Sequence, residues 1–510
     1  MKTTTTQSTR VPWAWHVAAA LVLLAYFRLV HFSAFDHDEV EHAHFSWLVL
    51  QGQVPYVDFH QNHLPALWLL GAAVLSVMPE SLAAVLTLRW LCALSFLVAL
   101  LAGCRHVKRM APDAATTIYP LTVIVAVAFA VHFEWYRLRP DPFMSLLCTA
   151  ALVVAAKDRF LTHSRAAFLG VLIGAAACFS LKMWPLGLLL PLLVVGNAWT
   201  SRRAALLAPL VSYAIGGALA LLPLFSWLAA TGLLTAFFED VVAFNAAYRK
   251  PLQASAGALS SPLVIAAMAG ALALALPRWS RAVTNRWSAT ATAIAIALGV
   301  SITFSTVHGH AYNLQCATIP AAVAVACLAL VLAESVPWPR ARPVALALIV
   351  TLTLATTMQR LVDLRQPGWT ILQVDLRELI ALAHAAPPDA TCVGFAPYHP
   401  IFCQDATGLA LGWDVSFLRH PSPYFRERQQ RIWTSAIEAI ERGEPELVIG
   451  AGVRAFDPWK RAQGMGAFPA ATIPAMLRSL PEHYEAIPLR SGITMWKRSA
   501  AAQLRQRSAQ

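Results

Sequence analysis

Apolar residues recur along the chain as runs of about 20 separated by short polar segments, the length a helix needs to cross ~30 Å of hydrocarbon. The runs lack the period-two alternation of a membrane barrel, so helices are the remaining way across. This pattern predicts eleven spans, at roughly 13–32, 82–104, 117–134, 142–156, 166–181, 185–199, 206–228, 262–276, 287–305, 313–333 and 343–361. The run from Pro65 to Met78 is too short to cross comfortably and is bounded by Pro65 and Pro79, so it predicts a re-entrant or interfacial helix. After residue 361 the pattern changes to that of a small soluble α/β domain. Helices are expected near 372–385 and 424–442, with strands at 391–396, 446–451 and 493–497.

Composition agrees with this division. A hydrophobic fraction of 58% with only 13% charged residues excludes an ordinary soluble domain, which carries roughly 25% charge. The first run contains Arg28 and no A-x-A-like cleavage site follows it, so it reads as a retained signal anchor. The net charge of +12 is spread between the spans and forms no patch for nucleic acid; topology and contact with anionic membrane lipids account for it. With the N-terminus in the cytoplasm, fifteen Lys and Arg fall on the inner side. The opposite side holds five: Arg137, Arg139, Lys182, Arg249 and Lys250. An odd number of spans then places residues 362–510 outside. In that setting Cys392 and Cys403 could form a disulfide, whereas the other six cysteines lie in or beside apolar runs as small hydrophobes.

The first external loop, within 33–81, is the strongest local signal. Between Ser33 and Leu64 it holds Asp36, Asp38, Glu39, Glu41 and Asp58, five histidines (His37, His42, His44, His60, His63), and no Lys or Arg. Charge at the mouth of a helix bundle is costly to keep and suggests a functional site, although a solvated loop purged of basic residues would read the same way. Two chemistries suit it. A carboxylate at the interface can act as general base on an acceptor hydroxyl or amine. Alternatively Asp36, Asp38, His60 and His63 could hold a divalent cation, the less specific option because D-x-D and H-x-x-H are common by chance.

Three segments of this loop carry a resemblance: Phe35-Asp36-His37-Asp38-Glu39-Val40-Glu41-His42-Ala43-His44, then Leu50 to Phe59 with Gly52, Pro55 and Tyr56, then His63-Leu64-Pro65-Ala66-Leu67-Trp68. Together they resemble the first external loop of the GT-C glycosyltransferases, most nearly the protein mannosyltransferase and aminoarabinose transferase group with its Asp-Glu pair, G-x-x-P-Y segment and Pro-Pro-Leu helix entry. Further along, Arg137-Leu138-Arg139-Pro140-Asp141 is similar to that family's Arg-x-x-Asp segment. Leu181-Lys182-Met183-Trp184-Pro185-Leu186-Gly187 is similar to its Lys-Gly-Pro element, and His310-Ala311-Tyr312 before Pro320 to its late His-Tyr. The likeness covers roughly residues 13–330. It departs where Leu64-Pro65-Ala66 replaces Pro-Pro-Leu and Asn62-His63 replaces the usual Glu-Lys.

The resemblance implies an all-α polytopic membrane bundle of the GT-C type over residues 1–361, and an enzyme of a bacterial inner membrane. Such an enzyme moves a sugar from a polyprenyl-phosphate donor to an extracytoplasmic acceptor, by single displacement with inversion. It marks Asp38, with neighbour Glu39, as catalytic. Lys182, Arg139, His310 and Tyr312 would meet the donor phosphate, with Asp58, His63, Asp141 and Arg89 supporting. No cofactor is certain, and a divalent cation remains an option. Arg89 lies within a span and should pair with an acid. The rival expectations are a transporter or lipid flippase, which inverted repeats or paired broken helices would favour, neither being evident in the sequence, and a non-catalytic scaffold, which would tolerate loop substitutions.

Overall fold

The computed structural model describes residues 13–110, 115–156, 162–184, 204–247, 311–335, 370–394, 398–406, 422–449, 468–490 and 494–502, with isolated positions between. The spans expected at 262–276 and 287–305 lie outside these residues, as do Arg249, Lys250 and His310; those at 185–199 and 343–361 do so apart from isolated positions.

Seven apolar helices match seven of the expected spans. They are α1 (Trp13–Phe32), α4 (Leu82–Met110), α5 (Ala115–His132), α6 (Pro140–Ala156), α7 (His163–Ala177), α8 (Ala204–Ala230) and α11 (Thr318–Ser335). Three of them, α1, α4 and α8, are long and apolar enough to cross a bilayer. The protein is an integral membrane protein. Exposed Leu21, Leu24, Leu94, Val98, Leu101, Leu207 and Leu219 lie along these helices, the side chains that a helix meeting lipid presents. In the bundle α1 packs on α4 and α5, α11 on α5, and α6 on α4 and α7.

Among the described helices the tightest pair is α7 with α8. A Cβ added to Gly170 would collide with the Tyr213 carbonyl oxygen, one on Gly216 with that of Ala167, and one on Gly174 would meet the Gly217 oxygen at 2.6 Å. Gly170 and Gly174 form a small-x-x-x-small step, and such steps let backbones touch where lipid supplies no hydrophobic drive. Gly170→Leu is expected to destabilise the protein by about 1–3 kcal/mol, read as a fall in thermal unfolding temperature in detergent.

The first loop is itself structured. Helix α2 (His37–Leu50) and the ten-residue helix α3 (Ala66–Leu75) pack against each other. At 1.5 Å per residue α3 spans only about 15 Å, half the hydrocarbon thickness. α2 ends where Gly52 takes a φ of +86° and Gln53 N–H returns to the Leu48 carbonyl at 3.0 Å. A broken helix follows α8: α9 (Leu234–Phe237), a π-helical turn (Phe238–Ala243) and α10 (Phe244–Ala247).

The C-terminal part carries a five-stranded mixed sheet in the order β4-β3-β5-β7-β6. β3 (Thr391–Val393) runs parallel to β4 (Gln404–Asp405) and β5 (Leu447–Ile449), while β7 (Thr494–Arg498) is antiparallel to β5 and β6 (Tyr484–Pro488). β5 reads Leu-Val-Ile because both faces are covered. Val448 packs with α13 (Pro423–Glu441) and α14 (Thr472–His483), whereas Leu447 and Ile449 enter a core that continues through α12 (Gln373–Ala385) into α2 and α3. Cys392 and Cys403 are joined as a disulfide. A second, two-stranded sheet ties loop to tail: β1 (Phe35–Asp36) pairs antiparallel with β2 (Thr370–Ile371).

Candidate active site

α2 begins at a reciprocal cap. Asp36 Oδ1 accepts from the Glu39 N–H at 2.9 Å, and Glu39 Oε2 accepts from the Asp36 N–H at 3.2 Å. The same two carboxylates then collect the basic residues of the bundle. Glu39 is wholly buried and takes Arg89 of α4 bidentately, Nε at 2.7 Å and Nη2 at 2.8 Å, with Arg137 Nη1 at 3.1 Å. Arg89 spends its remaining donors on the carbonyls of Val30, Ser33 and Ala34 and lies 3.7 Å over the Phe35 ring. It meets the acid that a charge inside a span requires, and it pins the end of α1 and the start of the loop to α4. Asp36 is bound by Arg137 at 3.1 Å and by Arg139.

Asp38, in the first turn of α2, differs from both neighbours. Its side chain keeps 25% of its exposure, against 7% for Asp36 and none for Glu39. One oxygen meets Arg139 Nη2 at 2.9 Å and the other His37 Nε2 at 2.8 Å. Burial pushes its carboxyl up, but Arg139 and His37 outweigh that and hold it well below the usual carboxylate range. His37 responds in kind: burial opposes its charge, yet the Asp38 carboxylate raises it to about 9. One turn further on, burial and then the Asp38 charge push Glu41 up to about 8, so it is a neutral acid at pH 7; Gln61 donates to it.

Two segments close the site. The stretch 133–139 is turned by Glu134, a non-glycine residue at φ +59°. Its carboxylate meets Arg137 at 3.2 Å and Arg139 at 3.3 Å, and the neighbouring Phe133 carbonyl accepts from Gln315 of the 3-10 turn Ala311–Ala317 at 2.6 Å. Asp141, in the first turn of α6, accepts from Lys182 Nζ at 2.5 Å. His63 lies within electrostatic reach of Asp38, Lys182, Asp141 and Arg139. It is held by Tyr56 Oη donating to its carbonyl at 2.8 Å. Burial lowers His63 to about 4 and His42 to about 3, so both are neutral; His42 Nδ1 accepts from Trp68 Nε1–H at 3.1 Å.

Among the expected residues, Asp38, Glu39, Arg89 and Arg139 share one charge network with Asp36 and Arg137, Asp141 and Lys182 form a separate pair, and His63 lies within electrostatic reach of both. Asp58 stands apart, exposed, accepting the Val54 N–H within its own turn at 2.6 Å. Of Tyr312 only the backbone is described, in the 3-10 turn. The sequence reading missed Arg137 and Glu134 as members of the cluster, and Glu41.

The four residues weighed for a cation do not fit one. Asp36 and Asp38 are neutralised by guanidinium groups, and His60 turns away to Asp240 Oδ2 at 2.7 Å, which also binds Arg428 of α13. An ion there would displace arginine pairs. Among the described residues the one group of ligating atoms that converges is elsewhere: His44, His399 and Asp405.

No family model matches the chain, and no curated protein sequence matches it. Solved structures do. The crystal structure of ArnT from Cupriavidus metallidurans bound to undecaprenyl phosphate superposes with a TM-score of 0.59 at 12% identity, covering 96% of this chain and 99% of that one. The apo state of the same protein gives 0.58, with 96% and 98% covered. The oligosaccharyltransferase of Archaeoglobus fulgidus in its apo form gives 0.51 at 12% identity, covering 97% of this chain and 75% of that chain. The chain thus has the GT-C glycosyltransferase fold that the motifs of its first loop suggest.

Proposed function

We propose that the protein transfers a sugar from a polyprenyl-phosphate donor to an acceptor on the far side of the membrane from its N-terminus. The observation that carries this reading is the Asp38 carboxylate, ionised, part-exposed and oriented from both sides, with part-exposed Lys182 on buried Asp141 and His63 within electrostatic reach of both. The solved relative that binds undecaprenyl phosphate supports the donor class.

In the reaction the acceptor oxygen attacks the anomeric carbon, the bond from that carbon to the phosphate oxygen breaks, and Asp38 takes the acceptor proton. A strongly ionised carboxylate is a weak base, but the transition state is oxocarbenium-like, as in other glycosyl transfers. The attacking oxygen becomes strongly acidic only as its new bond forms, so Asp38 need only orient the hydroxyl and receive the proton late. Arg139 and His37 act on Asp38, holding its two oxygens in place.

Among the described cations of the site, Lys182, paired with Asp141, is the one assigned to meet the leaving phosphate. All four cations meet carboxylates, but the Lys182 side chain keeps 20% of its exposure, whereas those of Arg89, Arg137 and Arg139 keep 0–6%. The developing phosphate charge is where a fixed cation lowers the barrier. Lys182→Met is expected to lower turnover by about 10²–10³-fold, measured as release of polyprenyl phosphate from a radiolabelled lipid-linked sugar in nanodiscs.

Neutral Glu41 donates a hydrogen bond to substrate in this scheme. Activity should then fall as pH rises through about 8, where Glu41 ionises, and Glu41→Gln should retain activity and lose that alkaline limb. An unchanged pH profile in the variant removes Glu41 from the mechanism. The direct test of the function is mass spectrometry of cell-envelope glycans with and without the gene, together with in vitro transfer. Absence of any lost glycan, and of turnover with lipid-linked sugars, would reject the reading.

A further inference from the structure

A second cluster of titratable groups lies outside the Asp38 network, where α2 meets the C-terminal sheet. His44 stands six residues after Asp38, on a different face of α2. Its Nδ1 is 2.6 Å from the Ile401 carbonyl oxygen, and its Nε2 is 2.8 Å from Asp405 Oδ2. The other carboxylate oxygen of Asp405 is 2.5 Å from His399 Nε2. The three side chains keep only 2–6% of their exposure.

A carbonyl oxygen only accepts, so His44 Nδ1 must carry a proton; a neutral imidazole then presents a bare lone pair at Nε2. That lone pair faces a carboxylate, which also only accepts. The His44 ring is buried, 4.0 Å, ring centre to ring centre, from the His399 imidazole. A cation between Nε2 and Oδ2 would give both acceptors a partner. A backbone carbonyl receiving the distal ring N–H is also the usual support of a metal-bound histidine.

We propose that His44, His399 and Asp405 bind a zinc ion that staples the first loop to the C-terminal sheet. Their ligating atoms already lie within 4.8 Å of one another. Bonds of 2.0–2.1 Å in a tetrahedral site place ligand atoms about 3.3 Å apart, so the two Asp405 contacts need open by less than about 1 Å. Two imidazoles and a carboxylate suit zinc, with water in the fourth position. The adjacent disulfide marks an oxidising setting, in which a redox-inert ion is appropriate. That disulfide also makes the site rigid. Cys392–Cys403 closes the segment carrying His399, and Cys392 pairs in register with Asp405 across β3 and β4. The ion's role is positional: α2 carries both Asp38 and His44, so fixing His44 fixes the helix that presents Asp38.

The test uses the full-length protein in detergent, purified without a histidine tag and dialysed against micromolar zinc. Elemental analysis should find about one zinc per chain. Asp405→Asn and His399→Gln should each weaken zinc binding at least a hundredfold, while Asp38→Asn should leave it intact. Cobalt in place of zinc should give the visible absorption of a tetrahedral site in the wild type. Zinc should also slow proteolytic release of the C-terminal part, and chelation should reverse this. Substoichiometric zinc with no tetrahedral cobalt spectrum in the wild type overturns the proposal, even if both variants misfold. So does zinc retained at wild-type affinity by Asp405→Asn.

Discussion

Asp38→Asn is expected to reduce sugar transfer by about 10³-fold, within the 10²–10⁴ range of a positioned general base, with thermal unfolding almost unchanged. The substitution keeps shape and one accepting oxygen but cannot receive the acceptor proton. Asp38 is part-exposed and lies at the edge of the charge network, so its partners survive its loss: Arg139 retains Asp36 and Glu134. Loss of turnover in a protein that unfolds normally and still binds the lipid donor is the expected result. A variant turning over at the wild-type rate would remove Asp38 from the chemistry.

Arg89→Met is expected to do the reverse, destabilising the fold by about 3–5 kcal/mol, the cost of leaving one member of a buried pair uncompensated. Glu39 would keep only Arg137 and two backbone N–H groups, and the carbonyls of Val30, Ser33 and Ala34 would lose their shared donor. The measurement is expression and unfolding temperature in detergent. The double variant Arg89→Met, Glu39→Gln should recover part of the loss, because it removes the stranded charge. A single variant that unfolds like the wild type would show that Glu39 and Arg89 contribute little, and would reopen Glu39 as a reacting group.

Much of this arrangement was legible in the sequence, for identifiable reasons. Spans are written in long apolar runs: α4 runs past its expected end into the basic residues Arg105 to Arg109, and α8 differs from its expected position by two residues at each end. In the tail, β3, β5, β7 and the helices α12 and α13 follow from local periodicity. α14 was missed although Ile473, Met476 and Leu480 recur at helical spacing; Pro481 near its end obscured it. α2 was missed because it is enclosed nearly all round, with Glu39, His42 and His44 buried among its apolar residues, so no polar face marks it. The Asp36-x-x-Glu39 spacing was the available signal. What no local pattern can give is long-range pairing. β1 and β2 are two residues each and lie far apart in the chain, and His44 meets partners 355 to 361 positions away.

The cap of α2 has a consequence for biogenesis. Asp36 and Glu39 begin the helix, but the cations that neutralise them come from α4 and from the segment before α6, which the ribosome delivers about 50 to 100 residues later. Until Arg89, Arg137 and Arg139 have arrived, the loop holds uncompensated carboxylates that favour water. The first loop is therefore expected to mature after the helices that flank it, and chains truncated before Arg139 should leave it accessible to protease. Completion of the charge cluster would then report that the front half of the bundle has assembled.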